Sequence, residues 1–374
     1  MSEALFIYDA SERNADLYYA TGFLAPDPFV FFSVRGKKYA VLSDLEIDRA
    51  RREARVHKVL SINPFIALAG KKKKNPTQAD VVHEILRCHD IKRIRVPADA
   101  PFALMDALRR RGYRVETGPA PFFEERLAKS RGELKCIAAS QRAVFAALAL
   151  VRDVLAASKI RGQRLAYRGQ TLTSEMLRKM IDVFLCERGF EVTGTIVSCG
   201  RHAIDPHDVG SGALMPHSSI IVDIFPRSKK TRYFGDATRT FCRGRAPDAL
   251  RRMYEAVKAA QAMAVGMVRP GVNGRKIHEA VHRFFDERGY PTRVRGGRNE
   301  GFFHGTGHSI GLEVHEEPAR ITGRDCRLRS GNVMSVEPGL YYPGIGGVRI
   351  EDLVHVTGRG CEVIGRFPKQ LEIL

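Results

Sequence analysis

Residues 218–241 read SSIIVDIFPRSKKTRYFGDATRTF, and residues 332–356 read NVMSVEPGLYYPGIGGVRIEDLVHV. Each stretch sets acidic residues into apolar, β-prone runs on either side of a turn: Asp223 and Asp236 in the first, Glu337 and Glu351, the latter followed by Asp352, in the second. Both read as hairpins. A carboxylate on an interior strand is costly unless a cation or hydrogen bonds compensate it. Four of them gathered together would be driven toward protonation. Two divalent cations remove that difficulty, since their four positive charges balance the four negative ones.

The elements that precede each hairpin repeat in order. GELKCIAASQRAVFAALALVRDVLAAS and TSEMLRKMIDVFLCERG have helical apolar spacing and lead through EVTGTIVSCG to the first hairpin. APDALRRMYEAVKAAQAMAVGMV and GRKIHEAVHRFFDERG lead through a histidine-rich stretch to the second. Two successions of helix, helix, strands indicate an α+β domain with an internal repeat of architecture rather than of residues.

Up to about residue 125 the chain instead alternates strand-like and helix-like segments, the pattern of an α/β layer domain. PFVFFSV and YAVLSD flank the polar turn from Arg35 to Lys38, and VHKVLSI, IKRIRVPA and YRVETG are further strands. NPTQADVVHEILRCH is a helix capped by Asn75 or Thr77, and PFALMDALRRRG is a helix ending at Gly112. The stretch 118–133, with two prolines, is a connector, which puts a boundary near residue 128.

A chain of 374 residues with 44% hydrophobic content can bury two cores. No apolar run approaches the ~18 to 20 residues that span a bilayer. The acidic start MSEALFIYDA lacks the form of a signal peptide. Seven scattered cysteines, an odd number with no C-x-x-C pair, point to reduced thiols in a cytoplasmic setting and against a disulfide framework. The net charge of +19 gives a non-specific attraction for polyanions. Its runs, RARREAR at 49–55, Lys71 to Lys74, RRRGYR at 109–114 and RVRGGR at 293–298, read as solvated faces.

Four carboxylates joined by one histidine make a hard, mainly oxygen donor set, suited to Mn²⁺, Co²⁺, Fe²⁺ or Zn²⁺ more than to copper. Hydrolysis is the chemistry such a centre serves. Histidines abound in HGTGHSIGLEVHEEP (304–318). His304 and His308 would share a helix face, but Gly305, Gly307 and Gly311 argue against a helix, and position 305 lacks the Glu of the H-E-x-x-H motif. His57, His83, His89, His217, His278, His282 and His355 read as ordinary hydrogen-bonded residues.

Together these motifs resemble the pita-bread metallopeptidases, a family that includes Xaa-Pro aminopeptidase, prolidase and methionine aminopeptidase. The resemblance covers nearly the whole chain, and NADLYYATGF is similar to the start of a creatinase-type N-terminal domain. It implies five ligands for two divalent metal ions: Asp223, Asp236 in DATRTF, His308 in HGTGHSIG, Glu337 in VEPG and Glu351 in RIED. Mn²⁺ comes first, with Co²⁺, Zn²⁺ and Fe²⁺ as alternatives. It also implies that His207 and His304 position the peptide, that His315 steadies the tetrahedral intermediate, that Glu337 passes the proton to the leaving nitrogen, and that Arg349 orients ligands.

The expected fold is an α/β N-terminal domain at 1–128 followed by an α+β pita-bread catalytic domain at 129–374 with a pseudo-twofold internal repeat. The expected activity is Xaa-Pro aminopeptidase on proline-containing peptides, with Xaa-Pro dipeptidase as the near alternative and a homodimer as the assembly. A non-catalytic binding module for nucleic acid or protein is the alternative of another class, favoured by the charge and opposed by the intact ligand set. One departure from the family is the interval of thirteen residues between Asp223 and Asp236. It implies a longer loop from Pro226 to Arg232, made basic by Arg227, Lys229 and Lys230.

Overall fold

In the computed structural model, which describes residues 3–374, the chain divides into two compact units, one ending at Arg126 and one running from Leu127 to Leu374. The first contains strands β1 (Glu3–Asp9), β2 (Phe29–Val34), β3 (Lys37–Leu42), β4 (Lys58–Ser61), β5 (Arg93–Val96) and β6 (Arg114–Thr117). They form one mixed sheet in the order β4-β3-β2-β1-β5-β6. Alternation sorts the side chains of this sheet onto two faces. Phe6, Val30 and Phe32 pack with Val82, Ile85, Leu86 and Leu108, whereas Ile7, Phe29 and Phe31 pack with Leu17, Ala20, Phe122 and Phe123.

The helices of this unit are α1 (Ala15–Thr21), α2 (Ile47–Glu53), α3 (Asn63–Gly70), α4 (Gln78–Cys88) and α5 (Phe102–Arg110). Three of them, α1, α2 and α3, were not expected. Most of the charged run at 49–55 lies in α2, where Arg49 pairs with Glu46 and Glu53 and Arg51 with Asp48, so local ion pairs support a helix that lacks a strong apolar stripe. α3 begins with Pro64 in its first turn and buries Phe65 and Ala69. Thr77 is the cap of α4, through a capping box with Asp80. The β2–β3 turn is two residues long, Arg35 and Gly36, both with positive φ (52° and 74°), which matches the twist of a tight hairpin.

The second unit is built as two successions. The first runs α6 (Arg131–Ala157), α7 (Ser174–Cys186), β7 (Ile196–Cys199), β8 (Ile220–Ile224) and β9 (Ala237–Arg243), the three strands pairing antiparallel in that order. The second runs α8 (Asp248–Met267), α9 (Gly274–Asp286), β10 (Gly307–Ser309), β11 (Glu316–Ile321), β12 (Val333–Val336), β13 (Gly339–Tyr342), β14 (Gly346–Arg349) and β15 (Asp352–Val356). Here the sheet order is β11-β10-β12-β15, continued by Cys361–Val363. The successions match in detail: α7 and α9 are both followed by Glu-Arg-Gly, and Arg188 lies 3.5 Å over Phe184 as Arg288 lies 3.5 Å over Phe284.

By length and composition alone α6 could cross a membrane, a feature not expected from the sequence. Its stripe of Val144, Leu148, Val151 and Leu155 is instead buried with side chains of α7, β8 and β9. A capping box of Ser130 and Glu133 starts the helix.

The second hairpin differs from the expected continuous pair. β12 pairs with β15 and β13 with β14, and the ladder is broken between them at Glu337–Pro338 on one side and Ile350–Glu351 on the other. Pro338 has no N–H to give a ladder. Both glutamates therefore sit in the break rather than within strands, and Asp236 likewise precedes β9.

Candidate metal centre

The break in the hairpin frees two carboxylates to turn toward the first succession. Glu337 donates its backbone N–H to Thr306 O (2.8 Å), and its Oε1 accepts the Ser335 hydroxyl (3.0 Å). Glu351 donates its N–H to Thr238 O (3.1 Å), and its Oε2 accepts the Thr238 hydroxyl (2.8 Å). Thr238 lies across from Asp223 in the β8–β9 ladder, so the register of one hairpin places a carboxylate of the other. His308 is the middle residue of β10, its N–H held by Ser335 Oγ at 3.0 Å. Gly307 is required beside it, because a Cβ there would stand 1.9 Å from Ser335 O.

The five residues read from the sequence as ligands meet around one cavity of about 460 Å³, which His207, His304, His315 and Arg349 also line. His308 Nε2 lies 3.3 Å from Glu337 Oε1 and 3.8 Å from Asp236 Oδ2. Asp236, His308 and Glu351 are buried and each offers a donor atom within 4.8 Å of the others. Asp223 and Glu337 are partly open to the cavity.

Electrostatics mark the cluster as short of positive charge. Burial first, and then the charges of Glu351, Asp223 and Glu337, hold Asp236 well above the usual carboxylate range. Burial and the charge of Glu337 do the same to Glu351. Glu337 is raised to about 7 by burial, against the charge of Arg349. Arg349 reaches one member, donating from Nη2 to Asp223 Oδ2 at 2.7 Å. Asp223 Oδ1 is buried with no hydrogen-bond partner. An orphaned carboxylate oxygen beside three acids forced toward neutrality, with one imidazole, fits divalent first-row cations.

Three of the cavity histidines are held neutral by burial, His308 and His315 at about 4 and His304 at about 3. The Nδ1–H of His308 faces Ser309 O (3.3 Å), which leaves its Nε2 lone pair toward the acids. The His315 ring stands edge-on to it, 4.2 Å between centroids. His304 differs from the expectation that it handles substrate directly. Its Nδ1 bonds Gly305 O (2.8 Å) and its Nε2 bonds the Tyr341 hydroxyl (3.0 Å), so both ring nitrogens are already engaged.

Tyr341 also accepts from Arg349 Nη1 (2.9 Å), completing a chain from Asp223 through Arg349 and Tyr341 to His304. Arg349 thus serves the first acid, 126 positions away, rather than its neighbour Glu351. Tyr341, Arg320 on the cavity wall and Gln141 behind Asp236 were not read from the sequence. A buried tyrosine needs a partner for its hydroxyl, yet the pair Tyr341–Tyr342 gives no sign of which one faces the site. The basic loop from Pro226 to Arg232 leaves the cavity alone. Arg227 and Arg232 both engage Glu191, Lys229 and Lys230 are exposed, and Phe225 just before the loop lines the site.

The position of Glu337 predicts a pH signature. Its folded pKa is raised from 4.5 to about 7, so ionising it opposes folding. The stability it gives when protonated is complete below about pH 4.5 and is lost as pH rises through about 7. Stripped of metal, Glu337→Gln should match the wild type in urea near pH 4.5 and exceed it by about 3 kcal/mol at pH 7.5. Taking the difference between the two proteins cancels the opposing histidines. A difference that does not change with pH would contradict the assignment.

The sequence pattern of metallopeptidase family M24 matches residues 135–358. The chain is 33% identical over 201 residues to the probable dipeptidase PepE of Mycobacterium tuberculosis, covering 54% of this chain and 52% of that one. It thus spans about half the length of the first curated relatives it matches. Against the Xaa-Pro dipeptidase of Pyrococcus horikoshii the likeness is 27% over 368 residues, 96% of this chain and 92% of that one. The crystal structure of an X-Pro aminopeptidase from Thermotoga maritima superposes with a TM-score of 0.82 at 22% identity, over the whole of this chain and 98% of the other.

Proposed function

Because the chain belongs to metallopeptidase family M24, whose pattern covers residues 135–358, we propose that it hydrolyses the bond between an N-terminal residue and proline. The observation that carries this is the buried meeting of Asp236, His308 and Glu351, beside the orphaned oxygen of Asp223 and the raised Glu337, around one cavity of about 460 Å³. In this reading Asp223, Asp236, His308, Glu337 and Glu351 hold two divalent cations, Mn²⁺ first, in a pita-bread unit whose matched successions each supply two of the acids. When bound, the cations supply Lewis-acid polarisation and activate water.

The chain's own groups do the rest. Glu337, with Oε1 engaged by Ser335, would take up on its other oxygen the proton released by the attacking water and deliver it to the leaving nitrogen. His315, neutral and at the cavity edge, donates an N–H to the oxygen that gains charge. His207 contacts the peptide from the opposite succession. His304 and Arg349 act as positioning residues through Tyr341 and Asp223. Free thiols at all seven cysteines support a reducing, cytoplasmic setting.

Arg320 favours the dipeptidase form of this activity over the longer-peptide form. Its guanidinium, paired with Glu317, stands on the cavity wall. A cation there suits the carboxylate that a dipeptide presents one residue beyond the cleaved bond. Cleavage of Xaa-Pro dipeptides and longer Xaa-Pro peptides, each with Mn²⁺, Co²⁺ and Zn²⁺, tests the activity, and absence of metal-dependent cleavage of any of them would remove it. Arg320→Ala should raise KM for dipeptides by ~10-fold or more and leave their C-terminal amides within about twofold. Equal losses on both would assign Arg320 a different role.

A further inference from the structure

We propose that Gln141 is a positioning residue for the metal centre, gripping the backbone of Asp236 from both sides and so fixing where that carboxylate stands. The inference rests on Asp236 being a metal ligand. Gln141 lies on α6, 1% exposed. Its Oε1 accepts the Asp236 N–H at 2.8 Å and its Nε2 donates to Asp236 O at 2.9 Å. One side chain thus reproduces the two-bond exchange that a neighbouring strand makes with a residue across an antiparallel ladder.

Asp236 needs such a partner because it precedes β9 and has left the ladder. The residues before it are docked on α6 in the same way. The Tyr233 hydroxyl donates to Glu133 Oε1 (2.7 Å), and the Ser140 hydroxyl donates to Tyr233 O (2.8 Å). Gly235 presses so closely on the helix that a Cβ there would lie 2.6 Å from the Ser140 carbonyl carbon. The first half of α6 is therefore a template for the segment 233–236, and Gln141 is the part that touches the ligand-bearing residue.

The carboxamide suits this place chemically. A neutral group that both donates and accepts can satisfy a buried N–H and a buried C=O at once. Glutamate has the same reach but, ionised, cannot donate to Asp236 O and would add a fifth negative charge to an already anionic cluster. Asparagine is one methylene shorter. Gln261 of α8 also reaches a backbone carbonyl beside a ligand, Val336 O at 3.4 Å, but its other end is taken by Lys369. The two-sided hold is found at Gln141.

The test measures Mn²⁺ binding to the metal-free full chain by calorimetry, alongside urea unfolding and steady-state kinetics, for the wild type, Gln141→Met and Gln141→Glu. Loss of the grip should weaken Mn²⁺ binding by about 10- to 100-fold. At saturating Mn²⁺, kcat should recover toward the wild type with KM within about twofold. Mn²⁺ affinity within twofold of the wild type in a folded variant, with a lowered urea midpoint alone, would overturn the proposal and leave Gln141 a packing residue. If Gln141→Met fails to fold, Gln141→Glu, of equal size, carries the same comparison. A wild-type chain that binds no Mn²⁺ would instead sink the reading of the site itself.

Discussion

Asp236→Asn should lower kcat/KM by at least about a thousandfold while making the metal-free protein more resistant to urea, not less. The loss follows from removing an anionic donor in a centre where weaker, indirect supports already count for about 10- to 100-fold each. The gain follows from the carboxylate's surroundings. Burial and the charges of Glu351, Asp223 and Glu337 all disfavour an ionised Asp236 when no cation is present. An amide of the same shape escapes that cost. Saturating Mn²⁺ should reverse the order of stability, because the wild type then gains binding energy that the variant cannot match. Paired urea titrations with chelator and with Mn²⁺ measure both signs. A variant less stable than the wild type under chelation would show that Asp236 is compensated by something other than a cation.

Arg349→Met should be nearly as damaging, and in the opposite sense for stability. Arg349 is buried, and it donates to Asp223 Oδ2 (2.7 Å), Tyr341 OH (2.9 Å), Thr238 Oγ1 (3.2 Å) and Pro206 O (3.2 Å). Removing one member of a buried ion pair typically costs about 3–5 kcal/mol, because the other charge is left uncompensated. Catalysis should fall by about a hundredfold or more as Asp223 and Tyr341 lose their anchor. Lysine at this position should rescue little, since an ammonium cannot span four acceptors in one plane. The double variant Asp223→Asn, Arg349→Met should recover much of the stability and none of the activity. Full activity in Arg349→Met would dismiss the chain from Asp223 to His304 as structural decoration.

The acids were legible in the sequence because charge in a β-prone run is locally anomalous. Asp223, Asp236, Glu337 and Glu351 announce themselves without reference to anything distant, and the repeated order of helices and strands shows that they belong together. His308 needed a family resemblance, since its glycine-rich neighbourhood excludes a helix but does not choose among three histidines. Gln141, Tyr341 and Arg320 were silent for a common reason. A glutamine on a helix, a tyrosine in a strand and an arginine after a proline are ordinary where they stand. Gln141 and Tyr341 take their meaning from partners 95 and 37 positions away, and Arg320 from its place on the cavity wall. The break at Glu337–Pro338 was written in the sequence as a proline, but its counterpart at Glu351 becomes visible once the two strands are in register.

The division of the acids between two successions also orders events in time. Asp223 and Asp236 leave the ribosome with β8 and β9, whereas Glu351 follows more than a hundred residues later. At ordinary rates of synthesis that interval is on the order of ten seconds. During it, Asp223 in β8 and Asp236 just before β9 have neither His308 nor the other two carboxylates in place. Closure of β12 on β15 then brings Glu337 and Glu351 to the edge of the same break. Completion of the acidic cluster is therefore a late event in synthesis.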